Sequence, residues 1–185
     1  MAPMVLMTAL VLSLPVLAQN GAGRLRIYGD VQNLYCSLAD EHPGILTVHI
    51  LHEFSAGGAT GSSFRVVTGA GFTGTYLSEG TTFVPLGDLR TGVHLGYGVC
   101  LTSMTEVAMI SFTTFGTSSQ CSYIAIVAHP DALSGQIEAT DCSLVTHSTL
   151  ESEFRAFVNS NASCEPWCIL AIGPSTWGHV KALYR

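Results

Sequence analysis

The chain has 185 residues, with 7 Lys and Arg against 13 Asp and Glu, a formal net charge of -6 at pH 7 and only 11% charged residues. So few cations exclude the basic surface that duplex nucleic acid demands, because neutralising phosphates takes Lys and Arg. A hydrophobic fraction of 48% with 19 glycines excludes a disordered chain as well, and the length suits a single all-β domain.

Residues 4–17 form an apolar run broken only by small hydroxyl residues and Pro15, and Val16-Leu17-Ala18 then meets the polar pair Gln19-Asn20. That is the layout of a signal peptide over 1–18, cleaved after Ala18, although no Lys or Arg precedes the run. The run is shorter than the roughly 20 residues a spanning helix needs. The mature chain is therefore expected to have no membrane span and to be secreted, periplasmic or cell-surface. Residues 19–160 are expected to form a β-sandwich domain, and 161–185 a C-terminal tail with a short helix.

Residues 24–28 (RLRIY) read as an opening strand, with a turn at Gly29-Asp30. In residues 45–54 (ILTVHILHEF) the even positions Leu46, Val48, Ile50 and Phe54 are apolar with His52 among them, whereas Thr47, His49 and Glu53 fall on odd positions. A period of two gives a strand with one buried face. Residues 55–60 (SAGGAT) form a loop. Strands are expected at 63–67 and 71–77 around the turn Thr68-Gly69-Ala70, with further turns at Glu79-Gly80 and at Leu86-Gly87-Asp88. Pro85 places its segment on a sheet edge, since proline cannot donate to a ladder.

The densest strand-like part is residues 92–128. In its first run Val93, Leu95, Tyr97 and Val99 alternate with His94, Gly96, Gly98 and Cys100. Glycines at two successive positions of one face leave room for a close approach. Residues 107–115 (VAMISFTTF) carry apolar side chains on both faces, as does an interior strand or one whose outer face is covered by the tail, and residues 123–128 (YIAIVA) read alike. His129-Pro130-Asp131 ends that strand. Residues 136–140 form another short strand; residues 150–158 fit a helix or a strand, and the neighbouring strands favour the latter. Residues 169–172 are expected to add a final edge strand before Gly173-Pro174. About eight to ten short strands with turns between them make a two-sheet antiparallel β-sandwich, immunoglobulin-like or jelly-roll-like.

The six cysteines, Cys36, Cys100, Cys121, Cys142, Cys164 and Cys168, all follow the apolar leader, and an even count in an exported chain favours disulfides over metal ligands or catalytic thiols. Six cysteines allow about 15 connectivities, which the sequence leaves open; the set expected here is Cys121 with Cys142, Cys36 with Cys100, and Cys164 with Cys168. The last pairing requires a turn at Glu165-Pro166-Trp167.

The segment RIYGDVQNLYCSL at 26–38, the GYGVCL segment at 96–101, the Cys121-to-Cys142 span and the ending TWGHVKALY at 176–184 together resemble a group of uncharacterised exported bacterial proteins. Those share a sandwich domain followed by a Trp-Gly and Lys-x-Leu-Tyr tail. The layout is also distantly similar to cohesin-type sandwiches, in which a glycine-turn strand precedes one of the kind at 107–112. Neither resemblance supplies a catalytic residue.

Candidate chemistry is sparse. His49 and His52 stand three apart, which on a strand sends them to opposite faces and away from a shared ion. His94, His129, His147 and Glu53 show no zinc-ligand spacing. Serines beside glycines at 61–63, 116–118 and 133–135 do not complete a Gly-x-Ser-x-Gly elbow. Asp40-Glu41 and the pair Glu151 and Glu153 read as solvated acids rather than a glycosidase pair. Cys164-x-x-x-Cys168 lacks redox spacing. Asn161-Ala162-Ser163 matches a glycosylation acceptor, which matters only in a eukaryotic secretory pathway. In the tail Trp177, Val180, Leu183 and Tyr184 fall on one side of a short helix, as a docking peptide or as a cover for their own sheet.

The reading is an exported binding or structural module that engages another macromolecule, protein or glycan, with no catalysis and no cofactor. The alternative is a carbohydrate-binding or glycoside-hydrolysing domain that stacks sugars on Tyr76, Tyr97, Tyr123 or Trp167.

Overall fold

The computed structural model describes residues 22–32, 35–148 and 153–164. Within them the chain is all-β, with twelve strands in two sheets that close as a sandwich. The smaller sheet has the order β1-β3-β8-β5, formed by β1 (Arg24–Tyr28), β3 (Pro43–Glu53), β8 (Thr105–Phe115) and β5 (Thr75–Thr81). The larger is built on β4 (Ala59–Thr68). Along one edge β4 pairs with β7 (Gly92–Leu101), which carries β6 (Val84–Asp88) beyond it.

Along its other edge β4 is divided. Gly61 to Ser63 pair with β10 (Glu138–Thr140), while Arg65 to Thr68 pair with β9 (Ser122–Val127). Beyond β10 lies β11 (Thr146–Ser148); beyond β9 lie β12 (Glu153–Val158) and the two-residue β2 (Ser37–Leu38).

Period-two alternation supplies the core. Ile27, Val48, Ile50 and Ile110 from the smaller sheet and Phe64, Val93, Ile124 and Ile126 from the larger are all 0% exposed. Burying each such side chain contributes about 1.5 to 3 kcal/mol. The interior also holds one polar chain. His52, itself 0% exposed, has Nδ1 at 2.7 Å from the Tyr97 hydroxyl and Nε2 at 2.8 Å from the Ala22 carbonyl. Because a carbonyl only accepts, Nε2 carries the imidazole proton, and Nδ1 is left facing the Tyr97 hydroxyl, which lies 2.7 Å from Ser62 Oγ as well.

Several strand assignments follow the sequence reading closely: β1 and β3 start and end within two residues of it, and β8 and β9 are interior strands. His49 and His52 stand on opposite faces, His49 bonded to Glu106 at 2.9 Å and His52 in the core. Residues 153–158 are a strand, paired antiparallel with β9.

Other expectations need correction. The strand placed at 71–77 runs instead from Thr75 to Thr81, so Glu79-Gly80 is a strand interior rather than a turn. Leu86-Gly87-Asp88 likewise belongs to β6, where Pro85 does occupy an edge, since β6 pairs with β7 only. These largely unburied strands take their order from ladder bonds with β8 and β7, not from burial, so periodicity misses them. Val99 is 59% exposed instead of buried. Gly98 has φ of 72° and the ladder slips between Ala59 and Gly61, which turns the alternation over.

The disulfides also differ from the expected pairing: Cys100 bonds Cys142, and Cys121 bonds Cys164. Topology decides this. β7 and β10 flank the same end of β4, which carries Cys100 to within a Cα distance of 5.3 Å of Cys142. β12 returns antiparallel along β9 with Val158 opposite Ser122, so the chain beyond it reaches Cys121, with Cα atoms 5.7 Å apart. Cys36 is disulfide-bonded too, and the described residues contain no free cysteine. Cys168 lies outside the described residues.

Candidate functional site

The outer face of the larger sheet carries a trough, and cross-strand pairing explains its shape. Gly61 on β4 pairs with Gly96 on β7 and with Thr140 on β10. Two glycines side by side give a floor of bare backbone. Two residues along β4, Ser63 pairs with His94 on one side and Glu138 on the other. The row beyond β7 is apolar and exposed, with Val84 opposite Gly96 at 78% exposure and Leu86 opposite His94 at 73%. The resulting cavity is about 440 Å³, bordered on the β11 side by Thr146, whose hydroxyl lies 3.2 Å from that of Thr140. A second cavity of about 560 Å³ opens on the other side of Gly96, between β6 and Tyr97.

Two details separate this trough from ordinary sheet surface. Ser63 is 8% exposed, its Oγ is fully buried, and among the described residues that atom has no hydrogen-bond partner. An orphaned buried hydroxyl costs about 1 to 3 kcal/mol. Gly96, for its part, has no positive φ, and a Cβ built on it meets nothing within 4 Å. Neither backbone strain nor packing among the described residues calls for glycine there, although glycine weakens a strand interior. The close approach that the glycine pattern led us to expect is not supplied by the protein's own described segments.

At the edge of the trough His94 stacks on His129, with ring centroids 4.1 Å apart. Burial, followed by the neighbouring His94, lowers the His129 pKa below its ordinary value. Glu138 accepts a hydrogen bond from the Ser134 hydroxyl at 2.9 Å and has no ion-pair partner among the described residues.

A second polar cluster lies on the smaller sheet. Glu53 accepts from Arg24 at 2.8 Å, from Arg26 at 2.9 Å and from the Tyr28 hydroxyl at 2.9 Å. Burial works to raise the Glu53 pKa, but these three partners outweigh it and hold the carboxyl below the usual range. Burial, followed by the Glu53 hydrogen bond, pushes the Tyr28 phenol up to about 12. Every strong partner here is internal, so the cluster clamps β1 to β3 and has no group left for a ligand.

The other sequence candidates scatter. Asp40 is buried and caps a loop, accepting from the backbone N–H of Gly116 at 2.7 Å and of Ser118 at 3.0 Å. Asp141 is tied up by His147 at 2.8 Å. Among the described residues no three His, Cys, Asp or Glu side chains come together as a metal-holding group. The aromatic platforms proposed for sugar stacking are occupied: Tyr97 is 4% exposed, Arg90 lies 3.8 Å over Tyr76, and Arg155 lies 4.2 Å over Tyr123. Trp167, Glu151 and the tail residues Trp177, Val180, Leu183 and Tyr184 lie outside the described residues, as does the expected signal peptide. The described residues contain no helix long and apolar enough to cross a membrane.

The sequence matches no family model and no curated protein. Solved structures do resemble the fold. The sixth cohesin of scaffoldin B from Acetivibrio cellulolyticus, crystallised with a dockerin, superposes with a TM-score of 0.51 at 14% identity, covering 76% of this chain and 99% of that one. A cohesin module from a Clostridium perfringens family 33 glycoside hydrolase gives 0.46 at 9% identity over 76% of this chain and 98% of its own. A type I cohesin of Clostridium thermocellum, solved as a dockerin complex, gives 0.48 at 9% identity over 75% and 96%. At such identities the likeness concerns the fold alone: this chain is an all-β sandwich with a cohesin-like fold.

Proposed function

We propose that this protein is an exported, non-catalytic module that docks a partner protein on the outer face of β6, β7, β4 and β10. The observation that carries the reading is the glycine-floored trough, in which the Ser63 hydroxyl is buried and orphaned while Val84 and Leu86 stand exposed beside it. A flat sheet face with a bare floor and an apolar rim suits a macromolecular surface better than a small substrate. Two further points support it. Disulfides belong to an oxidising compartment, which fits an exported chain. The similar scaffoldin B module is seen in complex with a dockerin, itself a protein. As for catalysis, a nucleophile needs a base within hydrogen-bond reach, and Ser63 Oγ bonds neither His94 nor Glu138.

The test is capture of a partner from the source cell envelope by the immobilised protein, with matched variants on the two sheet faces. Val84→Asp and Leu86→Asp are expected to abolish capture. Ile45→Asp and Phe115→Asp, on the smaller sheet, are expected to leave it intact. Equal losses on both faces, or turnover of a glycoside substrate by the wild-type protein, would sink this reading.

A further inference from the structure

Building on that docking reading, we propose that the trough is an anchor pocket for a basic side chain, a lysine or arginine, presented by the partner. Among the residues lining it Glu138 is the one carboxylate, and no Lys or Arg stands beside it. Besides His94 the other polar side chains of the lining are hydroxyls: Ser63 without a partner among the described residues, Thr140 and Thr146 bonded to one another, Thr60 bonded to the Asp141 carbonyl and Ser62 to Tyr97. A carboxylate with hydroxyls around it is an acceptor set, and its complement is a donor-only cation. Arg65 is on the same face of β4, two residues beyond Ser63, but does not line the trough, and Glu138 has no ion pair with it.

The dimensions agree. Ser63 and Glu138 are direct cross-strand neighbours, so their side chains sit about 5 Å apart at Cβ and an ammonium held by Glu138 lies over the Ser63 side chain. Gly61 and Gly96 lie two residues back along the strands, a distance of about 6.6 Å. The four-carbon stem of lysine covers that length, with its methylenes on the bare glycine floor and against Val84. A Cβ on Gly96 would stand where the stem lies, which gives the glycine a role that nothing among the described residues provides. The chain's net charge of -6 favours the approach of a cation over longer range.

The experiment is an NMR titration of the purified, oxidised protein with three tripeptide probes that differ only at the middle residue: lysine, norleucine or glutamate. Methyl glucoside serves as a fourth probe. The lysine probe is expected to shift the amides of Gly61, Ser63, Gly96 and Glu138 saturably in the millimolar range, whereas the other three leave them in place. Glu138→Gln should weaken the lysine probe about fivefold, the loss of one charge-assisted bond. Gly96→Val, whose Cβ meets no protein atom within 4 Å, should abolish binding with the spectrum otherwise unchanged. No saturable shift with lysine, equal shifts with norleucine, an unchanged affinity in Glu138→Gln, or saturation by the glucoside instead would each overturn the anchor. If the probes fail while Val84→Asp and Leu86→Asp still abolish partner capture, only the anchor falls and the docking face stands.

Discussion

Across the interior, the His52 imidazole of the smaller sheet meets the Tyr97 phenol of the larger at 2.7 Å, a buried polar bond that joins the two layers of the sandwich. Burial pushes the His52 pKa down to about 4, with the Ala22 carbonyl and Glu53 opposing it less strongly. A histidine whose folded pKa is depressed stabilises the fold while neutral in both states, and the unfolded chain takes up a proton first as pH falls. Stability is therefore expected to be full above about pH 6.5 and to decline by about 3 kcal/mol between there and pH 4. Urea midpoints across this window check it, and the decline should largely vanish in His52→Phe. Tyr97→Phe leaves Nδ1 of His52 without its partner and is expected to cost about 1 to 3 kcal/mol at pH 7.

Glu53 predicts a separate acid sensitivity. Its carboxyl pKa is lowered, so its contribution is present above the ordinary glutamate range and lost as pH falls through the folded value. Replacing it with alanine strands Arg26, whose side chain is 10% exposed, and is expected to cost about 2 kcal/mol. Fraying of β1, read as faster amide exchange at Leu25 and Ile27, should accompany that loss.

The two glycine positions 87 and 96 should respond oppositely to alanine. Gly87 has φ of 96° and its Cβ would meet the Gly92 carbonyl oxygen, so Gly87→Ala is expected to cost about 2 kcal/mol or more. Gly96→Ala meets nothing and should be neutral or stabilising by about 0.5 kcal/mol. Thermal melts of the two variants decide the matter.

Each described cystine closes a long loop, with sequence separations of 42 and 43 residues. The chain-entropy model gives about 4 kcal/mol for loops of this size. Replacing Cys100 and Cys142 together by serine is expected to lower stability by up to about that amount. Non-reducing peptide mapping should recover Cys100 with Cys142 and Cys121 with Cys164.

The tail remains a proposal. Removing residues 174–185 should leave the melting temperature within about 2 °C and weaken attachment to the envelope or complex, if Trp177, Val180, Leu183 and Tyr184 form a docking peptide. A large drop in melting temperature would make them a cover for the sheet instead.

Much of the fold was legible because burial writes itself into sequence. The alternation of Leu46, Val48, Ile50 and His52 gave β3 its buried face, and two-sided apolar runs marked β8 and β9 as interior. Edge strands such as Thr75–Thr81 are held by ladder bonds to one neighbour and carry no such pattern. Cysteine pairing depended on which strands flank β4, a long-range fact that the order of cysteines along the chain does not carry. The trough was not legible: no described segment makes the close approach expected at Gly96, and the walls, Ser63 and Glu138, come from strands far along the chain.

The central claim is that β4, β7 and β10 present the working surface. Hydrogen–deuterium exchange of the protein alone and in its isolated native complex tests it most directly. Protection gathered on Gly61 to Ser63, His94 to Gly96 and Glu138 to Thr140 is the expected result. Protection gathered instead on the outer face of β3 and β8, or none on either sheet, would contradict the account.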